Sequence, residues 1–193
     1  MDTLRNEYPR PDFVRDRWQP LNGRWGFEFD DLDRGLVEKW YERKLSGEIL
    51  VPFAYQTTLS GVADSGIHPV MWYRKEFTLD SSWDSQTVLL NFGAVDYFST
   101  VWLNGCLVGQ NRGGYIAFSF DITKYLVKGV NTVTVRVEDQ PVTSQPRGKQ
   151  LAKYDNFGCW YTPISGIWQS VWLEAAGETY LDHVRLQPVI EEN

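Results

Sequence analysis

An all-β fold, an antiparallel β-sandwich of the jelly-roll kind, is what this 193-residue chain predicts, and three observations carry the prediction. Short stretches of alternating apolar and polar residues follow one another from Gly23 to Glu174, separated by turn signals at close spacing. Helical periodicity is weak throughout, and no strand–helix–strand alternation competes with the β pattern. With 42% apolar and 15% aromatic residues, a chain of this length can build one substantial core.

The elements follow in order. Residues 1–17 are polar and carry Pro9 and Pro11, which suits an extended arm lying on a neighbouring surface. Gly23 to Phe29 alternates as a strand, and the charged segment Asp30 to Ser46 holds at best a helical turn or two over Arg34 to Tyr41. Phe53 to Pro69 is a long loop, which a compact domain keeps only for packing or binding. Strands are then expected at Met71 to Leu79, Thr87 to Phe92, Tyr97 to Leu103, Cys106 to Gln110, Tyr115 to Asp121 and Asn131 to Glu138. Asn104-Gly105 is the dipeptide that most favours a two-residue type I′ hairpin, and Gly113-Gly114 reads as a second hairpin signal. Beyond it, Ile116, Phe118, Phe120 and Ile122 fall on one face of an extended segment. Ile122 to Leu126 reads as a short helical turn with Asp121 as its N-cap. A second irregular loop runs from Asp139 to Tyr161, where Pro141 and Pro146 exclude a central strand and Arg147, Lys149 and Lys153 add positive charge, chiefly as a solvated loop face. Ile167 to Glu174 closes the sandwich, and alternation resumes over Tyr180 to Pro188 without a partner inside a finished jelly roll.

Composition excludes several function classes. A net charge of −6 and a pI near 5.0, without a cluster of Lys and Arg, disfavour nucleic acid as a partner. The first residues contain no apolar core of a signal peptide and no run of about 18 apolar residues exists, so no membrane span is expected and cytoplasmic placement is the default. Cys106 and Cys159 make no disulfide framework and are read as reduced, packed thiols. His68 and His183 lack the Cys or carboxylate company of a metal site, so no metal is expected. Nothing resembles a nucleophile elbow. Nine Trp and ten Tyr are mostly core, yet the surplus suits a sugar-binding surface, because pyranose rings stack on aromatic faces.

Several motifs, in one order along the chain, carry a resemblance. They are Leu21-Asn22-Gly23-Arg24-Trp25-Gly26-Phe27, Val51-Pro52, Trp72-Tyr73-Arg74-Lys75-Glu76-Phe77, Val101-Trp102-Leu103-Asn104-Gly105 with Gly113-Gly114-Tyr115 and Phe120-Asp121-Ile122, and Ser165-Gly166-Ile167-Trp168-Gln169-Ser170-Val171-Trp172-Leu173-Glu174. Together they resemble the N-terminal sugar-binding domain of family 2 glycoside hydrolases, the β-galactosidase and β-glucuronidase group, over roughly residues 18 to 175. The resemblance implies a galactose-binding-domain-like jelly roll over 18–177, an arm over 1–17, and over 178–193 a linker and the start of an immunoglobulin-like domain. Carbohydrate is then the expected partner, along with the downstream immunoglobulin-like and barrel domains of the same polypeptide; a homo-oligomer is compatible, and no cofactor is implied.

The family's retaining mechanism uses two carboxylates about 5 to 5.5 Å apart. By resemblance both lie on a C-terminal barrel of about 250 residues, which this chain is too short to contain. Asn6-Glu7 spells the family's acid/base dipeptide but sits in the polar leader, so no catalytic residue is expected here and the chain alone should be inert. On the frame Val95-x-x-x-x-x-Val101-Trp102-x-Asn104-Gly105, the resemblance gives Asp96 a place that hydrogen-bonds the terminal sugar ring, accessible at a strand end on the rim; the competing role is a strand-breaking bulge or turn cap. Trp160, ahead of Ser165-Gly166-Ile167, is the second candidate, as lining of the sugar subsite. Lys and Arg in 147–153 read as a solvated loop face, the alternative being contact with the barrel or an acidic sugar. The function expected is a non-catalytic domain that supports the barrel and completes the subsite; the alternatives are an autonomous carbohydrate-binding module or a structural, oligomer-forming domain.

Overall fold

Twelve strands form β1 (Trp18–Pro20), β2 (Gly23–Phe29), β3 (Gly47–Val51), β4 (Val70–Thr78), β5 (Thr87–Phe92), β6 (Val95–Asp96), β7 (Phe98–Leu103), β8 (Cys106–Arg112), β9 (Phe118–Asp121), β10 (Val130–Glu138), β11 (Gly166–Ile167) and β12 (Val171–Ala176). This computed structural model describes residues 5, 7–11, 14–140, 144–151 and 157–189; Asn6, Pro141 and Lys153 lie outside the described residues. A four-stranded sheet in the order β1-β12-β5-β9 packs on a six-stranded sheet in the order β3-β2-β4-β10-β7-β8, and β11 pairs with β6 as a separate ribbon. Every pairing is antiparallel. The jelly-roll sandwich expected from the pattern is the architecture found, and short 3-10 turns are the helical elements among the described residues.

Alternation produces this packing directly. Val101 and Leu103 of β7, Val133, Val135 and Val137 of β10, and Leu90, Phe92, Val171 and Leu173 of the opposite sheet are all within 0% exposure and fill the space between sheets. Trp72 and Trp102, on the other face of the six-stranded sheet, join Trp40 and Val70 in a second cluster under the 30–46 segment. Asp30 secures that cover: its carboxylate accepts from the amides of Arg34 and Gly35, each at 2.8 Å, and from Trp72 Nε1 at 2.9 Å. The Arg34 to Tyr41 region forms turns that end in a 3-10 turn at Trp40–Glu42.

Asn104 and Gly105 hold φ of 52° and 80°, the two positive angles a type I′ hairpin needs, and they join β7 to β8. Gly113-Gly114 is different. β8 pairs with β7 in one sheet and β9 with β5 in the other, so the glycines mark a crossing between sheets rather than a hairpin. The strand expected from Tyr115 starts only at Phe118, and Ile116 is exposed. Asp121 caps as foreseen, one position early, by accepting from the amide and hydroxyl of Thr123. The single strand expected from Ile167 to Glu174 is two, because Trp168–Ser170 breaks β11 from β12. The alternation of Tyr180 to Pro188 forms no strand. Cys106 and Cys159 are free but exposed, not packed as expected.

Candidate functional site

Loops from four parts of the chain converge beside the β6–β11 ribbon. β6 delivers Asp96, and the peptide bond to Tyr97 is cis before β7 resumes at Phe98. The 139–151 loop delivers Asp139, Arg147 and Gln150, the sheet crossing delivers Gly114 and Tyr115, and β11 is preceded by Ser165. The 53–69 loop contributes Gln56, whose amide donates to Ser165 Oγ at 3.2 Å and whose carbonyl accepts from the Ser165 amide at 3.2 Å.

Asp96 is 3% exposed, so the accessible rim position expected for it is corrected: the carboxylate lies under the surface. Its neighbours explain why. Gln150 Nε2 donates to Asp96 Oδ2 at 3.0 Å and to the Tyr115 hydroxyl at 2.8 Å, while Gln150 Oε1 accepts from the Ile164 amide at 2.8 Å. The Tyr115 hydroxyl in turn donates to the Arg147 carbonyl at 2.9 Å. Gly114 packs directly on the carboxylate, where any Cβ would come within 2.3 Å of Asp96 Oδ1. Strand-local pattern could not reveal this lid, because Gln150 stands 54 residues from Asp96.

A second buried carboxylate lies close by. Asp139, 4% exposed, accepts from Ser165 Oγ and Gln145 Nε2, each at 2.5 Å, and faces Arg147 Nη1 at 3.5 Å. Burial, reinforced by the Asp139 charge, pushes Asp96 up to about 6, although the Gln150 hydrogen bond and Arg147 pull the other way. Asp139 is also raised, again by burial, against the lowering effect of Ser165 and Arg147. Two carboxylates thus share one guanidinium, a balance that leaves excess negative charge in a nearly dry cluster.

Trp160, the other candidate, is 44% exposed on the turn where the Phe157 and Trp160 backbones bond reciprocally. Tyr161 follows, equally exposed, and its backbone pairs with Lys149 and Leu151 on either side of Gln150. The buried carboxylates and the exposed aromatics are therefore tied through one residue, Gln150. Tyr115 extends the aromatic rim, with its ring 6.1 Å from that of Trp168, whose Nε1 donates to the Gly114 carbonyl. Sequence reading found Asp96 and Trp160 but missed Asp139, Gln150 and Tyr115 as their company. The length and polar content of the 139–161 loop were the available signal.

Known proteins share this arrangement of strands. The β-glucuronidase from Ruminococcus gnavus in complex with C6-substituted uronic isofagomine superposes with a TM-score of 0.71 at 25% identity, covering 89% of this chain and 31% of that one. The β-glucuronidase of an uncultured Clostridium superposes with a TM-score of 0.65 at 26% identity over the same shares. By sequence, the β-galactosidase of Thermoanaerobacter pseudethanolicus is 34% identical over 168 residues, 86% of this chain and 20% of that protein. The β-glucuronidase of Canis lupus familiaris is 32% identical over 217 aligned positions, 96% of this chain and 32% of that protein. The chain thus spans about a fifth to a third of the length of these relatives. With the family model for the glycosyl hydrolases family 2 sugar binding domain matching residues 18–176, nearly the whole sandwich, the chain belongs to that family.

Proposed function

We propose that this chain is the non-catalytic N-terminal domain of a retaining β-glycosidase, and that it completes the sugar subsite of a following barrel which carries the catalytic carboxylates. The observation that carries the proposal is the loop cluster: exposed Tyr115 and Tyr161 are joined through Gln150 and its chain neighbours to the buried Asp96, and exposed Trp160 precedes Tyr161 on the same turn. Aromatic faces suit the apolar side of a pyranose, and a carboxylate suits its hydroxyls. In this reading Trp160 is the stacking surface and Asp96 accepts from the sugar in place of the Gln150 amide that covers it here. The names of the relatives, β-galactosidases and β-glucuronidases, support a β-linked hexoside or hexuronide as substrate. Residues 1–17 act as the arm, 18–177 as the sugar-binding domain, and 178–193 lead toward an immunoglobulin-like domain. Cytoplasmic residence belongs to the same proposal, supported by two exposed free thiols that an oxidising compartment would threaten; fractionation that finds the protein outside the cytoplasm would remove it.

The test uses the parent enzyme. Asp96→Ala should lower kcat/KM roughly 10- to 100-fold, the equivalent of one charge-assisted bond of about 1.5 to 3 kcal/mol. Trp160→Ala should raise KM by roughly 3- to 10-fold, in line with an aromatic contact of about 0.5 to 1.5 kcal/mol. Melting curves of both variants decide between this and a purely structural role, which predicts lowered melting temperature with unchanged kinetics per folded molecule. Micromolar binding of a glycan by this chain alone would instead favour an autonomous module.

A further inference from the structure

On the outer face of the four-stranded sheet, Glu174 is a carboxylate with no side-chain exposure. On β12 its neighbour Leu173 faces the core, so alternation turns Glu174 and Trp172 outward, under the residues that precede β1. Three donors meet there. Tyr8 OH and Trp172 Nε1 each donate to Oε1 at 2.6 Å, and Arg15 Nε donates to Oε2 at 2.7 Å. Arg10 Nη1 approaches Oε2 at 4.0 Å. The same two arginines continue past the carboxylate to the segment after β12: Arg15 Nη2 donates to the Leu181 carbonyl at 2.6 Å and Arg10 Nη2 to that of Asp182 at 3.4 Å. Arg15 also lies over the Tyr180 ring, 5.2 Å from its centre.

We propose that Glu174 is the pin of a clasp, through which the segment before the sandwich holds the segment after it and sets the direction in which the chain leaves β12. Among the described residues both segments lack strands of their own, and they lie at opposite ends of the sandwich sequence, yet Arg15 bonds Glu174 and Leu181 at once. A buried carboxylate is a poor choice for stability, since well-packed apolar groups often serve a sheet face as well or better. It is a good choice for geometry, because its lone pairs admit donors only in fixed directions. Tyr8 reinforces the pin, with its ring edge-on to Trp18 at 5.2 Å.

Trypsin reads the clasp in the 193-residue chain, since Arg185 is exposed and must come free of its surroundings to be cut. Glu174→Gln and Arg15→Ala should each speed cleavage after Arg185 at least tenfold, while cleavage within 18–176 rises far less than the Arg185 cut. Removing residues 1–11, which deletes Tyr8 and Arg10 without touching β12, should also speed the Arg185 cut. An unchanged Arg185 rate in Arg15→Ala and in the truncated chain would overturn the clasp. So would a rise spread equally over all sites, which would make Glu174 a support of the sandwich as a whole.

Discussion

Burial decides what Asp96 does to the molecule that carries it. Its ordinary value is 3.8 and its folded value about 6, so the folded state binds a proton more tightly than the unfolded chain. A raised carboxylate value means that this group's penalty on folding is absent below about 3.8, grows as pH rises toward 6, and is complete above 6. A difference of about two units corresponds to about 3 kcal/mol. Asp96→Asn keeps an acceptor for Gln150 and removes the charge, so it should stabilise the chain by about 1 to 3 kcal/mol at pH 7.5, with the gain vanishing near pH 4. Denaturant unfolding at the two pH values checks this, and an asparagine variant less stable at pH 7.5 would show that the charge is compensated. Residues of this kind, locally unfavourable and globally retained, mark the sites that sequence pattern reads poorly. Asp96 was legible as a candidate from its frame, but its depth was not, because Gly114 and Gln150 close over it from other loops.

Among the elements, the strands were the most legible and their partners the least. β2 and β5 have the bounds expected for them; β2 is a half-buried strand whose pattern records its two faces, while β5 is buried on both faces after its first residue. Gly113-Gly114 was misread because two glycines allow a hairpin and a sheet crossing equally, and only the pairing of β8 with β7 and β9 with β5 distinguishes them. The 30–46 cover shows a further limit. Its charges pointed to at most a helical turn or two and gave no sign that Trp40, 8% exposed, packs over Trp72 and Trp102. Asp30 is what holds this cover, being the acceptor for three donors of which two are fully internal to it. Asp30→Ala should leave Trp72 Nε1 and two amides unsatisfied, a loss of about 2 to 4 kcal/mol. For a chain of this size that lowers the melting temperature by roughly 5 to 15 °C. Asp30→Asn should cost less, and tryptophan fluorescence would follow the exposure of the cluster. Equal melting of wild type and Asp30→Ala would assign the cover to the aromatic packing alone.

For the whole molecule, the proposed role predicts catalytic inertness of this chain by itself. The chain should hydrolyse no nitrophenyl glycoside above buffer background, and its affinity for monosaccharides should be millimolar or weaker, because part of a subsite offers few bonds against an association cost of about 4 kcal/mol or more. Turnover that survives purification and disappears on replacing a carboxylate of this chain would refute that. The order of strands also has a bearing on how the protein comes off the ribosome. β10 lies between β4 and β7 in one sheet, and β12 lies between β1 and β5 in the other, so each sheet receives an inner strand only after both of that strand's neighbours. Until residue 176 has left the exit tunnel, β1 and β5 have no strand to join them, and β4 and β7 wait for residues 130–138. At roughly 5 to 20 residues per second, the nascent chain spends seconds with apolar strand edges unmatched. A sandwich wired in this way exposes its apolar strand edges longest just before it has made its last contact.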